Sequence, residues 1–249
     1  MIIIKSKNEI KVMKEAGKVT AGVLERIKST IKPGITTKEL DQIAEEEILK
    51  NHMIPAFKGY NGFPASICVS INEQVVHGIP SKRAICEGDI VSVDVGVRYE
   101  GYHGDAARTF EVGSVSEEAK KLIKVTKQSF YEGLKYCNTR YRLTDISHAI
   151  QDYVESNGFS VVKDFVGHGI GKDMHEDPQI PNYGRPGRGT RLASGMVFAI
   201  EPMVNLGTDE VSVLLDNWTV VTNDGKLSSH YENTVALTDG EPVILTTIE

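Results

Sequence analysis

Two apolar, strand-like runs each contain a single carboxylate: IVSVDVGV at residues 90–97 and MVFAIEPMV at residues 196–204. Their Val, Ile and Phe content is typical of buried β-strands. Asp94 and Glu201 lie at comparable points of the two runs, 107 residues apart. An ionised carboxylate taken out of water is destabilising unless a cation or strong hydrogen-bond donors meet it. We therefore take these two acids as the first candidates for a buried charged site.

The elements predicted around these runs follow one order twice, namely two helices and then a set of strands. Apolar residues at steps of three and four predict the helices, and continuous or alternating apolar runs predict the strands. The sequence thus predicts one α+β domain over residues 1–249, with a two-layer α/β architecture and pseudo-symmetric halves at about 1–113 and 114–249. The predicted helices cover 7–31, 36–51, 116–136 and 143–156, and the predicted strands cover 66–71, 90–97, 106–112, 161–162, 196–204 and three segments within 211–246.

Composition limits the class of protein. Hydrophobic residues make up 40% and charged residues 25% of the 249 residues, which is typical of a globular protein and excludes a disordered or fibrous one. The net charge of −6 argues against a general binder of nucleic-acid phosphates. No apolar run reaches the ~18 residues of a membrane span, and the chain starts without a secretory leader. The spacing of Cys68, Cys86 and Cys137 fits neither a disulfide framework nor a zinc site. We expect a cytoplasmic protein without a membrane or a specific nucleic-acid partner.

A hairpin brings a second acid toward Asp94. If residues 98–101 form a four-residue loop, Asp94 lies directly opposite Asp105. Like charges in that arrangement repel each other. A divalent cation between the two carboxylates would remove the repulsion, whereas a solvent-exposed hairpin with hydrated acids is the alternative.

Further ligand-type residues lie later in the chain. His168 is flanked by glycines in GHGIG at residues 167–171, and Glu232 precedes an apolar strand. Several carboxylates with one imidazole suit Mn, Fe, Co or Zn in a two-metal site. Taken alone, His168 is better explained as an ordinary turn histidine.

Other histidines divide into two groups. His77 follows a strand at a turn, and His175 precedes Glu176 seven residues after His168. No HExxH zinc helix and no GxSxG nucleophile motif is present, which argues against those hydrolase classes. The remaining histidines have no distinctive setting, and we expect them on the surface: His52, His103, His148 and His230.

Together these motifs resemble a type I methionine aminopeptidase over essentially the whole chain. The resemblance rests on NExxVHGIP at 72–80, Asp94 with GYHGD at 101–105, GHGIG at 167–171, IEPM at 200–203 and ENT at 232–234. It implies the pita-bread fold, with two α/β halves around a dinuclear site. The metal ligands that it implies are Asp94, Asp105, His168, Glu201 and Glu232, of which Asp105 and Glu232 would bridge both metals.

The same resemblance implies the reaction. Two divalent ions (Co, Mn, Fe or Zn) would activate a bridging hydroxide that attacks the scissile carbonyl. Glu201 would be the general base, His175 a donor to the developing oxyanion, and His77 a contact of the scissile amide or substrate backbone. The enzyme, a monomer, would remove the initiator methionine from nascent polypeptides at the ribosome when the second residue is small.

The implied methionine pocket is where the chain departs most from its family. An unbranched thioether needs an apolar slot with aromatic or soft walls. The wall residues implied by motif position are Phe57, Tyr60, Phe63, Met174 and Trp218, although each one taken singly is better explained as an ordinary core residue. Asn61 and Asn233 stand where a histidine is frequent in the family, and Gly96 stands where a hydroxyl residue is frequent.

Two alternatives remain open at this stage. The first is an Xaa-Pro aminopeptidase or prolidase-like peptidase, which typically carries an additional N-terminal domain, whereas the first predicted helix here starts at about residue 7. The second is a catalytically silent pita-bread protein that acts as a binding module. Such proteins usually lose metal ligands, and here all five are present.

Overall fold

The computed structural model describes residues 1–248 and contains α-helices where the sequence predicts them. A capping box begins the second helix, because the Thr36 hydroxyl accepts from the Glu39 N–H while the Glu39 carboxylate accepts from the Thr36 N–H. The four helices are α1 (Lys7–Thr30), α2 (Thr37–Lys50), α3 (Glu117–Leu134) and α4 (Leu143–Ser156).

The strands form two larger sheets and two smaller ones. In the first sheet β3 pairs with β1, β2 and β4, and the second sheet has the order β14-β13-β8-β6-β7. The smaller sheets are β12-β9-β5 and the pair β10-β11. The strands are β1 (Ile54–Pro55), β2 (Ile67–Ile71), β3 (Ile90–Tyr99), β4 (Tyr102–Glu111), β5 (Ser160–Val161), β6 (Gly167–Gly169), β7 (Glu176–Ile180), β8 (Val197–Ile200), β9 (Met203–Asn205), β10 (Val211–Val213), β11 (Val220–Thr222), β12 (Ser228–His230), β13 (Asn233–Ala236) and β14 (Val243–Ile244).

The β3–β4 hairpin differs from its predicted register. Its loop has two residues, Glu100 and Gly101, with φ values of 46° and 83°. Positive φ at both positions is the signature of a type I′ turn, whose twist matches that of the flanking strands. Asp94 therefore faces Ala107, and Asp105 faces Gly96. The two acids remain on one face of the sheet as diagonal neighbours, which at about 7–8 Å leave more room for a cation than a directly opposed pair.

The predicted strand over 196–204 is divided in two by the residues at its centre. β8 ends at Ile200 and β9 begins at Met203, so that Glu201 and Pro202 lie between them. Proline has no N–H to donate to a ladder, which explains the break. The region after residue 210 contains five strands rather than three, and the turn at Gly225 joins β11 to β12, which belong to different sheets.

The helices cover one face of each sheet and the acids lie on the other side. α1 and α2 pack on the first sheet around Leu24, Leu40 and Val93. α3 and α4 pack on the second sheet around Phe130 and Phe198. No helix among residues 1–248 combines the length and the apolar character that a membrane crossing requires.

Direct hydrogen bonds join the two sheets where the acids are. The Thr234 hydroxyl donates to the Asp105 carbonyl and accepts from the Asp105 N–H, each at 2.9 Å. The Glu232 N–H donates to the carbonyl of Ala107 at 3.0 Å. Asp105 of β4 and Glu232, which precedes β13, are thus held close together.

Candidate active site

A cavity of about 350 Å³ opens between the two sheets. It collects ligand-type residues from positions 94 to 232 of the chain, together with aromatic side chains. Its lining includes the predicted residues Phe57, Tyr60, Phe63, His77, Asp94, Asp105, His168, His175, Glu201, Trp218 and Glu232. Met174 is the exception, because its side chain is buried behind the wall of the cavity.

Each candidate ligand comes from a different part of the two sheets. Asp94 lies in β3, Asp105 in β4 and His168 in β6. Glu201 lies in the break after β8, and Glu232 lies between β12 and β13. His168 is therefore a strand residue, and the alternative of a turn histidine is wrong.

The ligand atoms converge within a few ångströms. Nε2 of His168 is 3.6 Å from Oε1 of Glu201 and 4.0 Å from Oδ2 of Asp105. Ligand atoms of Asp105, His168 and Glu232 all lie within 4.8 Å of one another, and so do those of Glu201, His230 and Glu232. The two groups share Glu232, and the second contains His230, which is not among the predicted ligands.

Several of these atoms are buried without a hydrogen-bond partner among residues 1–248: Oδ1 of Asp94, Oδ1 of Asp105, Oε1 of Glu232 and Nε2 of His230. A buried polar atom that lacks a partner costs about 1–3 kcal/mol. Bound cations would satisfy the three carboxylate oxygens at once, and an oxygen-rich set with imidazole suits divalent transition metals. The residues present therefore fit a metal centre.

The electrostatics support the same conclusion. Burial raises the pKa of Asp94 to about 7 and that of Glu201 to about 8. Burial and the neighbouring carboxylates raise the pKa of Asp105 and of Glu232 well above the ordinary values. Burial lowers the pKa of His168 to about 3, which leaves the neutral imidazole that a metal requires. The raised pKa values show that these four carboxyls have no positive charge nearby that is sufficient to stabilise their ionised forms. Bound cations would supply that charge.

The two predicted catalytic histidines face the same cavity. Nδ1 of His175 is 2.8 Å from the Tyr60 hydroxyl, and the His175 ring lies 4.2 Å from that of His168, centre to centre. His77 adopts a φ of 59° and makes edge-to-face contacts with Phe165 and Trp218. Burial lowers the pKa of His175, and it lowers that of His77 to about 4. Both imidazoles are therefore neutral and carry one N–H each.

The aromatic wall explains the glycine at position 96. A Cβ atom there would lie 2.4 Å from the Phe57 ring and 2.9 Å from the terminal carbon of Met174. The Phe57 ring thus fills the space that a side chain at position 96 would need. Phe63 packs edge-to-face on Trp218 at 5.0 Å, beside the cavity.

Asn61 and Asn233, the two asparagines at positions where the family frequently has histidine, differ in their relation to the site. Asn61, with a φ of 48°, lies at the cavity. The side-chain oxygen of Asn233 instead accepts from the Arg108 guanidinium at 2.7 Å and from the Thr246 hydroxyl at 2.9 Å. Asn233 therefore supports the backbone next to Glu232 rather than the cavity.

Two histidines expected at the surface are buried, and one of them lies among the ligands. His103 is 8% exposed, and its ring contacts the Gly171 carbonyl at 3.1 Å. His230 is 1% exposed and lies 3.5 Å from Glu201. Both surface predictions are wrong, because tertiary packing covers strand residues that carry no local signal of burial. The position of His230 two residues before Glu232 was the one available signal.

Comparisons with known proteins agree with this geometry. A sequence model of metallopeptidase family M24 matches residues 11–239. The methionine aminopeptidase of Clostridium acetobutylicum is 61% identical over 250 residues, covering 100% of both chains. The crystal structure of methionine aminopeptidase from Thermotoga maritima matches with a TM-score of 0.98 at 48% identity, over 99% of this chain and 100% of that chain. The prolidase from Pyrococcus horikoshii OT3 matches at 22% identity and a TM-score of 0.77, over 65% of its own length, and so shares the fold.

Proposed function

The chain belongs to metallopeptidase family M24 as one of its methionine aminopeptidases, and we propose from this premise how its own residues perform the reaction. Its fold is the pita-bread fold. The residues that would hold two divalent cations are Asp94, Asp105, His168, Glu201 and Glu232. The observation that carries the proposal is the set of buried ligand atoms that lack any other partner in the described chain.

Divalent cations supply Lewis acidity when bound, since they polarise a carbonyl and lower the pKa of water. The identity of the metal is proposed only as a class, Co, Mn, Fe or Zn, which oxygen and imidazole ligands accept.

Glu201 moves the proton. Its carboxylate takes a proton from the attacking water and delivers it to the leaving amine. Its place between β8 and β9 leaves the side chain free of the alternation that strand pairing imposes.

His175 stabilises charge on the substrate. When the Tyr60 hydroxyl donates to Nδ1 of His175, the ring proton resides on Nε2, which can then donate to the carbonyl oxygen as it becomes negative. His77, which lies beside Trp218 at the cavity, contacts the scissile amide or the substrate backbone.

The aromatic wall receives the methionine side chain. Phe57, Tyr60, Phe63 and Trp218 line the cavity, and sulfur–aromatic contacts contribute about 0.3–1.5 kcal/mol each. Met174 supports this wall from behind by packing against Phe57. The natural substrates are the N-termini of nascent polypeptides with a small second residue, which a monomeric enzyme meets at the ribosome in the cytoplasm.

Peptide hydrolysis tests the proposal. Metal-loaded protein should release methionine from Met-Ala-Ser, should leave Ala-Pro-Ser intact, and should lose activity when a chelator removes the metal. Cleavage of Ala-Pro-Ser in preference to Met-Ala-Ser would assign a prolidase-like specificity. Cleavage of neither peptide by protein with bound metal would make this chain a binding module.

A further inference from the structure

His230 is a buried ionisable residue that the proposed reaction does not use. It ends β12 and is 1% exposed. β4 fixes its backbone on both sides, because the Thr109 hydroxyl accepts from the His230 N–H at 3.0 Å and donates to its carbonyl at 2.9 Å. The ring therefore has a defined place, next to the carboxylates of Glu201 and Glu232.

Two imidazoles enclose the carboxylate of Glu201. Its Oε1 faces Nε2 of His168 at 3.6 Å, and its Oε2 faces Nε2 of His230 at 3.5 Å. Oε2 of Glu232 is farther from the His230 nitrogen, at 4.0 Å. Nε2 of His230 has no hydrogen-bond partner within residues 1–248, so Glu201 is its nearest available acceptor.

We propose that His230 is a positioning residue for Glu201: its Nε2–H donates to Oε2 and leaves Oε1, which faces His168, as the oxygen that would bind a cation. A neutral imidazole has one donor and one acceptor nitrogen. With the proton on Nδ1, two buried acceptors, Nε2 of His230 and Oε2 of Glu201, would face each other and remain without a hydrogen bond. With the proton on Nε2, the His230 nitrogen donates and the Glu201 oxygen accepts. The 3.5 Å between these two atoms shortens readily once the site is occupied.

This role excludes the more obvious one. A metal ligand donates the lone pair of its nitrogen, so ligation through Nε2 requires that the proton be on Nδ1. One nitrogen cannot both carry a proton toward Glu201 and coordinate a metal. The tautomer of His230 in the metal-loaded protein therefore decides between the two roles. The inference rests on the metal centre proposed above.

Nitrogen NMR of protein loaded with diamagnetic Zn²⁺ reads the tautomer directly. The His230 signals are those that disappear in His230→Gln. We expect a protonated Nε2 and an unprotonated Nδ1. A protonated Nδ1 with a zinc-bound Nε2 would overturn the inference while leaving the proposed function intact. A wild-type protein that binds no zinc would overturn the proposed function and this inference with it.

Two substitutions at position 230 provide a second test. His230→Leu removes the donor and should lower kcat for Met-Ala-Ser by about 10–100-fold, as other partners of metal ligands do. His230→Gln keeps an N–H donor at similar reach and should restore most of that loss. The Co²⁺ absorption spectrum should keep its wild-type band positions in both variants, because the ligands themselves are unchanged.

The control is His103→Leu, which removes a buried histidine outside the centre and should leave metal affinity and the Co²⁺ spectrum unaltered. A Co²⁺ spectrum in His230→Gln that shows the loss of a nitrogen ligand would contradict the inference. Wild-type kcat and metal affinity in His230→Leu would also contradict it, because the ring would then only fill space.

Discussion

Glu201 combines in one side chain two properties that the proposed reaction would need. It lies where Pro202 interrupts the sheet, so its carboxylate reaches the cavity rather than the core. It also lies between the rings of His168 and His230, so that Oε1 faces the first ring and Oε2 faces the second. In the proposed reaction a single residue would thus serve both the metal and the proton, whereas His175 would serve only the substrate.

Glu201→Gln separates the proton role from packing, because the two side chains have nearly the same shape. We expect the variant to fold and its kcat to fall by about 10²–10⁴-fold, the usual contribution of a general base. Circular dichroism and steady-state hydrolysis of Met-Ala-Ser measure the two expectations. Turnover within a few fold of wild type would remove Glu201 from the mechanism.

His175→Ala should lower kcat by about 10²–10³-fold, the effect of removing one donor to an oxyanion. Metal content should stay at the wild-type level, since no role as a ligand is assigned to this ring. Atomic absorption on dialysed protein measures the metal. If metal is lost along with activity, His175 is a ligand and the role of His168 has to be reassigned.

At the scale of elements, β3 and the segment after β1 are fitted to each other across the cavity wall. Gly96 in β3 has no side chain, and the Phe57 ring occupies the space beside it. Gly96 alone would weaken the strand, and the Phe57 ring alone would lack space, so each residue is explained by the other. Together they form one continuous cavity wall, because the Phe57 ring fills the space that a side chain at position 96 would occupy.

Gly96→Thr should therefore clash with Phe57 and destabilise the protein by about 1–3 kcal/mol, the usual cost of overpacking. KM for Met-Ala-Ser should rise as the ring is forced into the pocket. Adding Phe57→Cys should recover much of the stability and the KM. Urea unfolding and kinetics of the two single variants and the double variant test this, and purely additive effects would show that the positions are independent.

A buried ion pair fastens the segment before α1 to β7. Lys5 donates to the Glu176 carboxylate, and each side chain is 3% exposed. Lys5→Met leaves a carboxylate without its partner and should lower the free energy of unfolding by about 3–5 kcal/mol. Combining it with Glu176→Leu should restore most of the loss. Chemical unfolding measures both, and a Lys5→Met variant as stable as wild type would show that the pair contributes nothing.

At the scale of the whole molecule, the site exists because the two larger sheets meet where the acids lie. Asp105 is tied to β13 through Thr234, and Glu232 is tied to β4 through Ala107. Neither half alone assembles the ligand set, because Asp94 and Asp105 come from the first sheet and His168 from the second. The predicted division near residue 113 stays a prediction, since nothing yet tests whether the halves are related.

The sequence predicted local features well and long-range ones poorly. The helices were correct because caps and apolar periodicity act within a few residues. The predicted hairpin register is wrong because the register depends on a two-residue turn at Glu100 and Gly101, whereas the prediction assumes a four-residue loop. The burial of His230 was missed because it depends on β4 and on the acids of other strands. The candidate ligands came from the resemblance of motifs in order along the chain, which spacing alone would not have established.

The central claim is that Met-Ala-Ser hydrolysis depends on cations held by these buried carboxylates, and a metal titration tests it most directly. Metal-free wild-type protein and Asp105→Ala should be titrated with Mn²⁺ while bound metal and released methionine are measured together. We predict no activity without metal, a return of activity in step with binding in the wild-type protein, and weak binding without activity in the variant. Full hydrolysis by the metal-free protein, or full metal occupancy and activity in Asp105→Ala, would contradict the claim.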